Sequence, residues 1–206
     1  MLQSDRTADR RFTYADYCSW PEDERWELID GVAYDMSPAP ARIHSLLSMA
    51  FLRQMLPYFE GKPCEIHAAP FDVRLPKANE PDDDVDTVVQ PDILVVCDNE
   101  KLDDKGCRGA PDLAIEILSP STASKDCIRK RALYEKHGVK EYWLVDPTHR
   151  LVIIQRLGSD GLFGRVLTYG DTDKIKVGLF PDLEIDLSTI FPAQPKIVRE
   201  SPAKYL

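Results

Sequence analysis

The amino-acid sequence predicts an α/β domain: a mixed β-sheet core flanked by helices, with a trailing β-meander. Three observations carry this reading. The chain has 206 residues, 43% hydrophobic and 30% charged, which is enough for one domain with a core that needs no metal or disulfide staple. Apolar residues recur at spacings of three and four in two long stretches, whereas short β-branched runs recur between and after them. The order is helix, hairpin, helix, strands, helix, strands, which builds a sheet with a long helix on at least one face.

Each element has its own signal. Residues 1–11 are polar and are expected to be flexible. Phe12 to Trp20 reads as a short helix with Thr13 as N-cap. Trp26 to Gly31 reads as a strand entering a glycine turn, with Val32 to Met36 as its hairpin partner. Pro38-Ala39-Pro40 breaks the chain. Arg42 to Phe59 then carries Ile43, Leu46, Leu47, Ala50, Phe51 and Met55 on a helical repeat. Ile66 to Leu75 is expected as one long strand, and Pro76 to Asp84 as a polar turn. Thr87 to Gln90 leads through Pro91-Asp92 into the strand Ile93 to Val96, and Leu113 to Leu118 forms another. Ser124 to His137 reads as a helix with a basic face and an apolar stripe of Ile128, Leu133 and Tyr134, ended by Gly138. Tyr142 to Val145 is a buried-type strand. Leu151 to Arg156, Phe163 to Tyr169 and Ile175 to Val177 form the meander. One domain over 12–190 and an irregular tail over 191–206 follow.

Composition narrows the function classes. No run approaches ~20 apolar residues, so no membrane-spanning helix is expected. The N-terminus lacks the apolar stretch of an export signal, so a cytoplasmic location is expected. Cys18, Cys64, Cys97, Cys107 and Cys127 form no C-x-x-C pair, and the expectation is five reduced thiols. The net charge of −9 argues against a simple basic nucleic-acid binder. Residues 80–104 hold ten of the 35 acids and one of the 26 bases, so the rest of the chain is neutral. Residues 125–140 lean basic through Lys125, Arg129, Lys130, Arg131, Lys136 and Lys140. Local asymmetry of this kind matters more than net charge for a metal or polyanion site.

The sequence lacks a P-loop, a G-x-G-x-x-G fingerprint, an H-E-x-x-H zinc motif and a G-x-S-x-G elbow. The four histidines show no ligand spacing. Two apolar strands nevertheless carry carboxylates: Asp92 at the lip of one, Glu116 inside the other. A bare buried charge is costly and must be paired, neutralised or metal-bound. For a lone acid, a salt bridge to Arg or Lys is the ordinary answer. Two acids on adjacent strand candidates, followed by a basic helix, point to a hard divalent ion such as Mg²⁺, which takes oxygen ligands.

These residues resemble the PD-(D/E)XK nuclease motif, and more specifically the Uma-two-type family of restriction-endonuclease-like proteins. The matching stretches are Trp26 to Gly31, Met36-Ser37-Pro38 with His44 at the next helix start, Gln90-Pro91-Asp92-Ile93 and Pro111 to Thr122. Asp126 to Lys130, Tyr134 and Gly138 to Pro147 complete the match, which covers roughly residues 12–190. The resemblance implies a restriction-endonuclease-like fold. It implies a metal-dependent endonuclease acting on nucleic acid, DNA in the first instance, with Mg²⁺ or Mn²⁺ as cofactor. Asp92, Glu116 and the Ile117 carbonyl would be metal ligands. The motif lysine, absent at Leu118, would have moved to Lys130, at D-x-x-x-K spacing from Asp126. Glu27 would complete the acidic site, and His44 would face it. Lys130 should lie on the inward stripe with a flanking arginine in solvent, and Lys130→Ala should remove cleavage while leaving the fold and metal binding nearly intact.

The displaced lysine and the acidic chain also fit a decayed nuclease fold kept as a nucleic-acid- or protein-binding module. A third reading is a partner-binding subunit that oligomerises through the meander. A homodimer is the expected assembly.

Overall fold

The computed structural model describes residues 10–36, 41–120 and 122–192. Pro38-Ala39-Pro40, most of the flexible N-terminus expected over 1–11 and most of the tail over 191–206 lie outside the described residues. Helix α1 (Tyr14–Cys18) is capped at Thr13, whose N–H bonds the Asp16 carboxylate at 3.1 Å. Strands β1 (Trp26–Ile29) and β2 (Val32–Asp35) pair antiparallel. Their two-residue turn is Asp30-Gly31, with φ of 48° and 76°; a turn with positive φ at both central residues matches the twist of a hairpin. Helix α2 spans Arg42–Phe59, the bounds its periodicity predicts.

The expected long strand over 66–75 is two strands in different sheets. β3 (Glu65–Ala68) and β4 (Val73–Arg74) are separated by the cis Ala69–Pro70 bond. Proline has no N–H for a ladder, so pairing stops there and the chain crosses from one sheet to the other. β5 (Val88–Val89), β6 (Ile93–Val96), β7 (Leu102–Asp103), β8 (Gly106–Arg108) and β9 (Leu113–Ile117) follow.

The basic helix opens with a π-helical turn, Lys125–Lys130, and continues as α3 (Arg131–His137). Ile128, expected on its apolar stripe, is 66% exposed; the π turn rotates Asp126 and Lys130 inward instead. β10 (Glu141–Asp146), β11 (Leu151–Arg156) and β12 (Leu167–Gly170) then add to a sheet, while β13 (Lys174–Lys176) and β14 (Glu184–Asp186) form a separate hairpin.

The strands build a main sheet of order β12-β11-β10-β9-β6-β3 and a second of order β2-β1-β5-β4-β8-β7. The expected meander is therefore partly an extension of the main sheet. In the main sheet β9 runs parallel to β10 and antiparallel to β6. Ile93, Val95, Ile115 and Trp143 face α2 through Leu47, Phe51 and Met55, with Phe51 and Trp143 edge to face at 6.2 Å. Leu94, Ala114 and Leu144 face the other way, toward Leu133 and Tyr134 of α3 and Val73 and Val89 of the second sheet. Burial on both faces explains why these strands read as continuous apolar runs.

One expectation about cysteine is corrected. Cys64 and Cys97 are joined in a disulfide. They flank the β3–β6 ladder, whose register pairs Glu65 with Val96, so the next pair outward is 64 with 97. Cys18, Cys107 and Cys127 are free thiols. Among the described residues, no helix is long and apolar enough to cross a membrane.

Candidate active site

The β6–β9 register pairs Ile93 with Ile115 and Leu94 with Ala114. Continued by one residue, it sets Asp92 opposite Glu116, and opposed residues of an antiparallel pair project from the same face. Continued by two, it sets Pro91 opposite Ile117. Proline offers no N–H to the Ile117 carbonyl, and the Ile117 N–H donates to Asp92 Oδ2 at 2.6 Å instead. The Pro-Asp pair thus replaces one rung of the ladder with a carboxylate and frees a carbonyl beside it.

Glu116 is buried, and its Oε1 accepts from Lys130 Nζ at 2.9 Å and from the Tyr134 hydroxyl at 2.7 Å. Lys130 Nζ also lies 2.6 Å from Glu27 Oε1 and 3.7 Å from Asp126 Oδ1. Glu27 is fully buried; its Oε2 takes Lys125 Nζ at 2.6 Å, and its Oε1 takes the Gln90 N–H at 3.0 Å. Asp92 Oδ2 lies 3.0 Å from His44 Nε2 at the start of α2. Asp92, Glu116, Lys130, Glu27 and His44 therefore meet in one place, and all but Glu27 border one cavity of about 770 Å³. Of the flanking arginines, Arg129 is exposed and bonds the Tyr34 hydroxyl, while Arg131 is half-buried against Gln155 and Glu135.

Two site residues escaped the sequence reading. Lys125 sits five positions before Lys130, about 140° away on an α-helix; the i→i+5 register of a π turn brings the two into line, so both reach Glu27. Tyr134 stands out in sequence as part of an apolar stripe and of the family match, neither of which gives it a role, but its hydroxyl is a donor to Glu116.

Burial sets the electrostatics. It works to raise the Glu27 carboxyl, but Lys130 and Lys125 outweigh it and hold Glu27 below its ordinary range. Burial pushes Glu116 well above its ordinary value; Lys130 opposes this, and the charges of Asp126, Asp92 and Glu27 add to it. Burial works to lower the Lys130 amine, but Glu116, Glu27 and Asp126 hold it well above its usual value. Lys130 is thus a fixed cation at neutral pH, Glu27 a fixed anion, and Glu116 the acid whose charge is least supported.

Among the described residues, no three His, Cys, Asp or Glu side chains form a ready-made cation cage. The donor set still fits a hard ion: Asp92 Oδ1 and Glu116 Oε2 carry no hydrogen bond within the described residues and border the cavity beside the Ile117 carbonyl. Hard ions of this kind keep waters and take one or two carboxylates.

Acids on two neighbouring central strands, with a buried lysine brought onto one of them by the following helix, define a nuclease-like α/β fold. The same architecture occurs in a crystal structure from Anabaena variabilis ATCC 29413 described as "a putative nuclease belonging to DUF820". The two align with a TM-score of 0.69 and 20% identity, over 87% of this chain and 97% of that one. The chain belongs to the Uma2 family, described as "Putative restriction endonuclease", whose model matches residues 14–188. A relative in Synechocystis sp. (strain ATCC 27184 / PCC 6803 / Kazusa), "Uncharacterized protein slr1290", is 26% identical over 165 residues, covering 79% of this chain and 82% of that protein.

Proposed function

We propose that this protein is a metal-dependent endonuclease that hydrolyses phosphodiester bonds of nucleic acid, with DNA as the first substrate to test. The observation that carries the reading is the opposition of Asp92 and Glu116 across β6 and β9, each with one unbonded carboxylate oxygen at the same cavity. Asp92 Oδ1, Glu116 Oε2 and the Ile117 carbonyl would hold the ion. The chemistry supplied by Mg²⁺ or Mn²⁺ when bound there is polarisation of a phosphate oxygen and a lowered pKa of coordinated water.

The chain's own groups do the rest. Lys130, locked as a cation against Glu116, places positive charge where the phosphate gains negative charge, and an environment fixed in advance costs no reorganisation at the moment of reaction. Its raised pKa makes it an electrostatic group rather than a proton acceptor. Lys125, which lines the cavity, and the exposed Arg129 lie 5.8 and 5.3 Å over the Tyr34 ring and would supply phosphate contacts.

The experiment is nicking of supercoiled plasmid, and degradation of single-stranded DNA and RNA, with Mg²⁺, Mn²⁺ or EDTA. Cleavage that needs the ion and is lost in Glu116→Gln supports the reading. One observation favours the alternative of a nuclease fold kept for binding: Lys130 is shared among three carboxylates, which suits a structural role. Binding of nucleic acid with no cleavage under any ion would decide for that alternative.

A further inference from the structure

A second cavity, of about 590 Å³, shares Gln90 and Arg25 in its lining with the cavity of the acidic site. Its walls include Tyr17, Trp20, Trp26 and Phe71. These rings brace one another: Tyr17 and Trp20 have centroids 5.7 Å apart, Trp20 and Trp26 5.6 Å, and Phe71 is stacked on the His67 ring at 4.1 Å. In the same cavity stands Asp72. Its Oδ1 accepts from Tyr17 OH at 3.0 Å and from Gln90 Nε2 at 2.8 Å, while Oδ2 carries no hydrogen bond among the described residues. The backbone of Asp72 is fixed as well: its carbonyl accepts from the Cys107 N–H at 2.9 Å, and a Cβ on neighbouring Gly106 would meet that carbonyl at 2.3 Å. Gln90 ties the two cavities together, since its side chain also accepts from Arg25 Nη2 at 2.8 Å and its N–H bonds Glu27.

We propose that this cavity takes an unpaired, amine-bearing nucleobase of the substrate strand, close to the phosphate held at Asp92 and Glu116. Braced aromatic faces suit stacking, which every base accepts. The lining acids Glu22, Glu24, Asp103 and Asp104 outnumber the cations Arg25 and Lys105, which disfavours a phosphate there and leaves the planar base as the matching part of a nucleotide. Asp72 Oδ2, an unbonded acceptor beside Tyr17 and Gln90, selects the base. Adenine, cytosine and guanine can turn an amine hydrogen to Asp72 Oδ2, whereas thymine and uracil flank their one N–H with two carbonyls that the carboxylate repels. Gln90 and Asp92 are two residues apart, roughly 7 Å of extended chain, so base and phosphate sites are near neighbours. A base can enter only from a single strand or a locally opened duplex. The inference rests on the nuclease reading for its substrate, but its test does not.

The test is saturation-transfer NMR of the full chain in EDTA with deoxyadenosine, deoxycytidine, deoxyguanosine and thymidine, which carry no phosphate and need no metal. The three amine-bearing nucleosides should bind at least about fivefold better than thymidine, the value of one hydrogen bond. In Asp72→Asn the retained oxygen keeps both internal bonds while an amide donor replaces Oδ2, so the preference should turn toward thymidine. Phe71→Leu should weaken all four without changing their order. Equal binding of the four, no binding at their solubility limits, or an unchanged preference in Asp72→Asn would overturn the assignment. If the nucleosides bind with this preference while no cleavage is found with any ion, the nuclease reading fails and the base site stands.

Discussion

Replacing Lys130 by methionine keeps an unbranched side chain, one atom shorter, and removes one charge from a buried cluster. The side chain is 2% exposed, and its amine lies 2.6 Å from Glu27 and 2.9 Å from Glu116. At an effective dielectric constant of ~20 each attraction comes to about 6 kcal/mol, and desolvation of the three ions cancels most of it. What remains on deletion is the cost of stranding the partners, about 3–5 kcal/mol for a broken buried pair. Glu27 keeps Lys125 and the Gln90 N–H, while Glu116 keeps only the Tyr134 hydroxyl and is driven to protonate. The burial of Lys130 therefore revises the sequence-based expectation that its removal spares the fold. Urea unfolding at neutral pH, followed by tryptophan fluorescence, measures the loss. The double variant Lys130→Met, Glu27→Gln should lose less than the sum of the singles, by about 0.5–3 kcal/mol. A loss below about 1 kcal/mol for Lys130→Met with an unchanged m-value would refute the buried-cluster account.

Glu27→Gln should destabilise the protein at neutral pH. Because the folded-state pKa of Glu27 lies below its ordinary 4.5, the stability it contributes is fully present above that value and is lost as pH falls through the depressed one; the gap between wild type and Glu27→Gln in urea midpoints should therefore close only in acid. Affinity for nucleic acid should rise on adding Ca²⁺, since unneutralised carboxylates repel phosphate; equal binding in Ca²⁺ and EDTA, measured by fluorescence anisotropy, would place the contacts elsewhere. Reducing the Cys64–Cys97 disulfide, which closes a separation of 33 residues, should cost about 3–4 kcal/mol; a urea midpoint unmoved by reductant would argue that the bond contributes nothing in solution.

Much of this was legible in the sequence, and the failures have physical causes. Asp92 and Glu116 stand out because acids interrupt apolar strands, and their convergence follows from a register that two short neighbouring strands leave little room to vary. Helix α2 was legible to its ends because its periodicity is strong. Lys125 was not, because a six-residue π turn changes which side chains share a face, and nothing in local composition announces that change. Glu27 enters the site in sequence only through the family resemblance, since its burial depends on a hairpin meeting a helix about 100 residues later in the chain. The disulfide needs the β3–β6 register, and the second cavity gathers residues from Tyr17 to Gly106 that no window of sequence contains.

The central claim, that the Asp92–Glu116 pair is an ion site, is tested most directly by a crystal grown with Mn²⁺ and measured for anomalous scattering. The account predicts an ion within about 2.0–2.3 Å of Asp92 Oδ1, Glu116 Oε2 and the Ile117 carbonyl oxygen, with Lys130 still on Glu116 Oε1 and Glu27. A well-ordered site without an anomalous peak at millimolar Mn²⁺, or an ion bound away from both carboxylates, would contradict it.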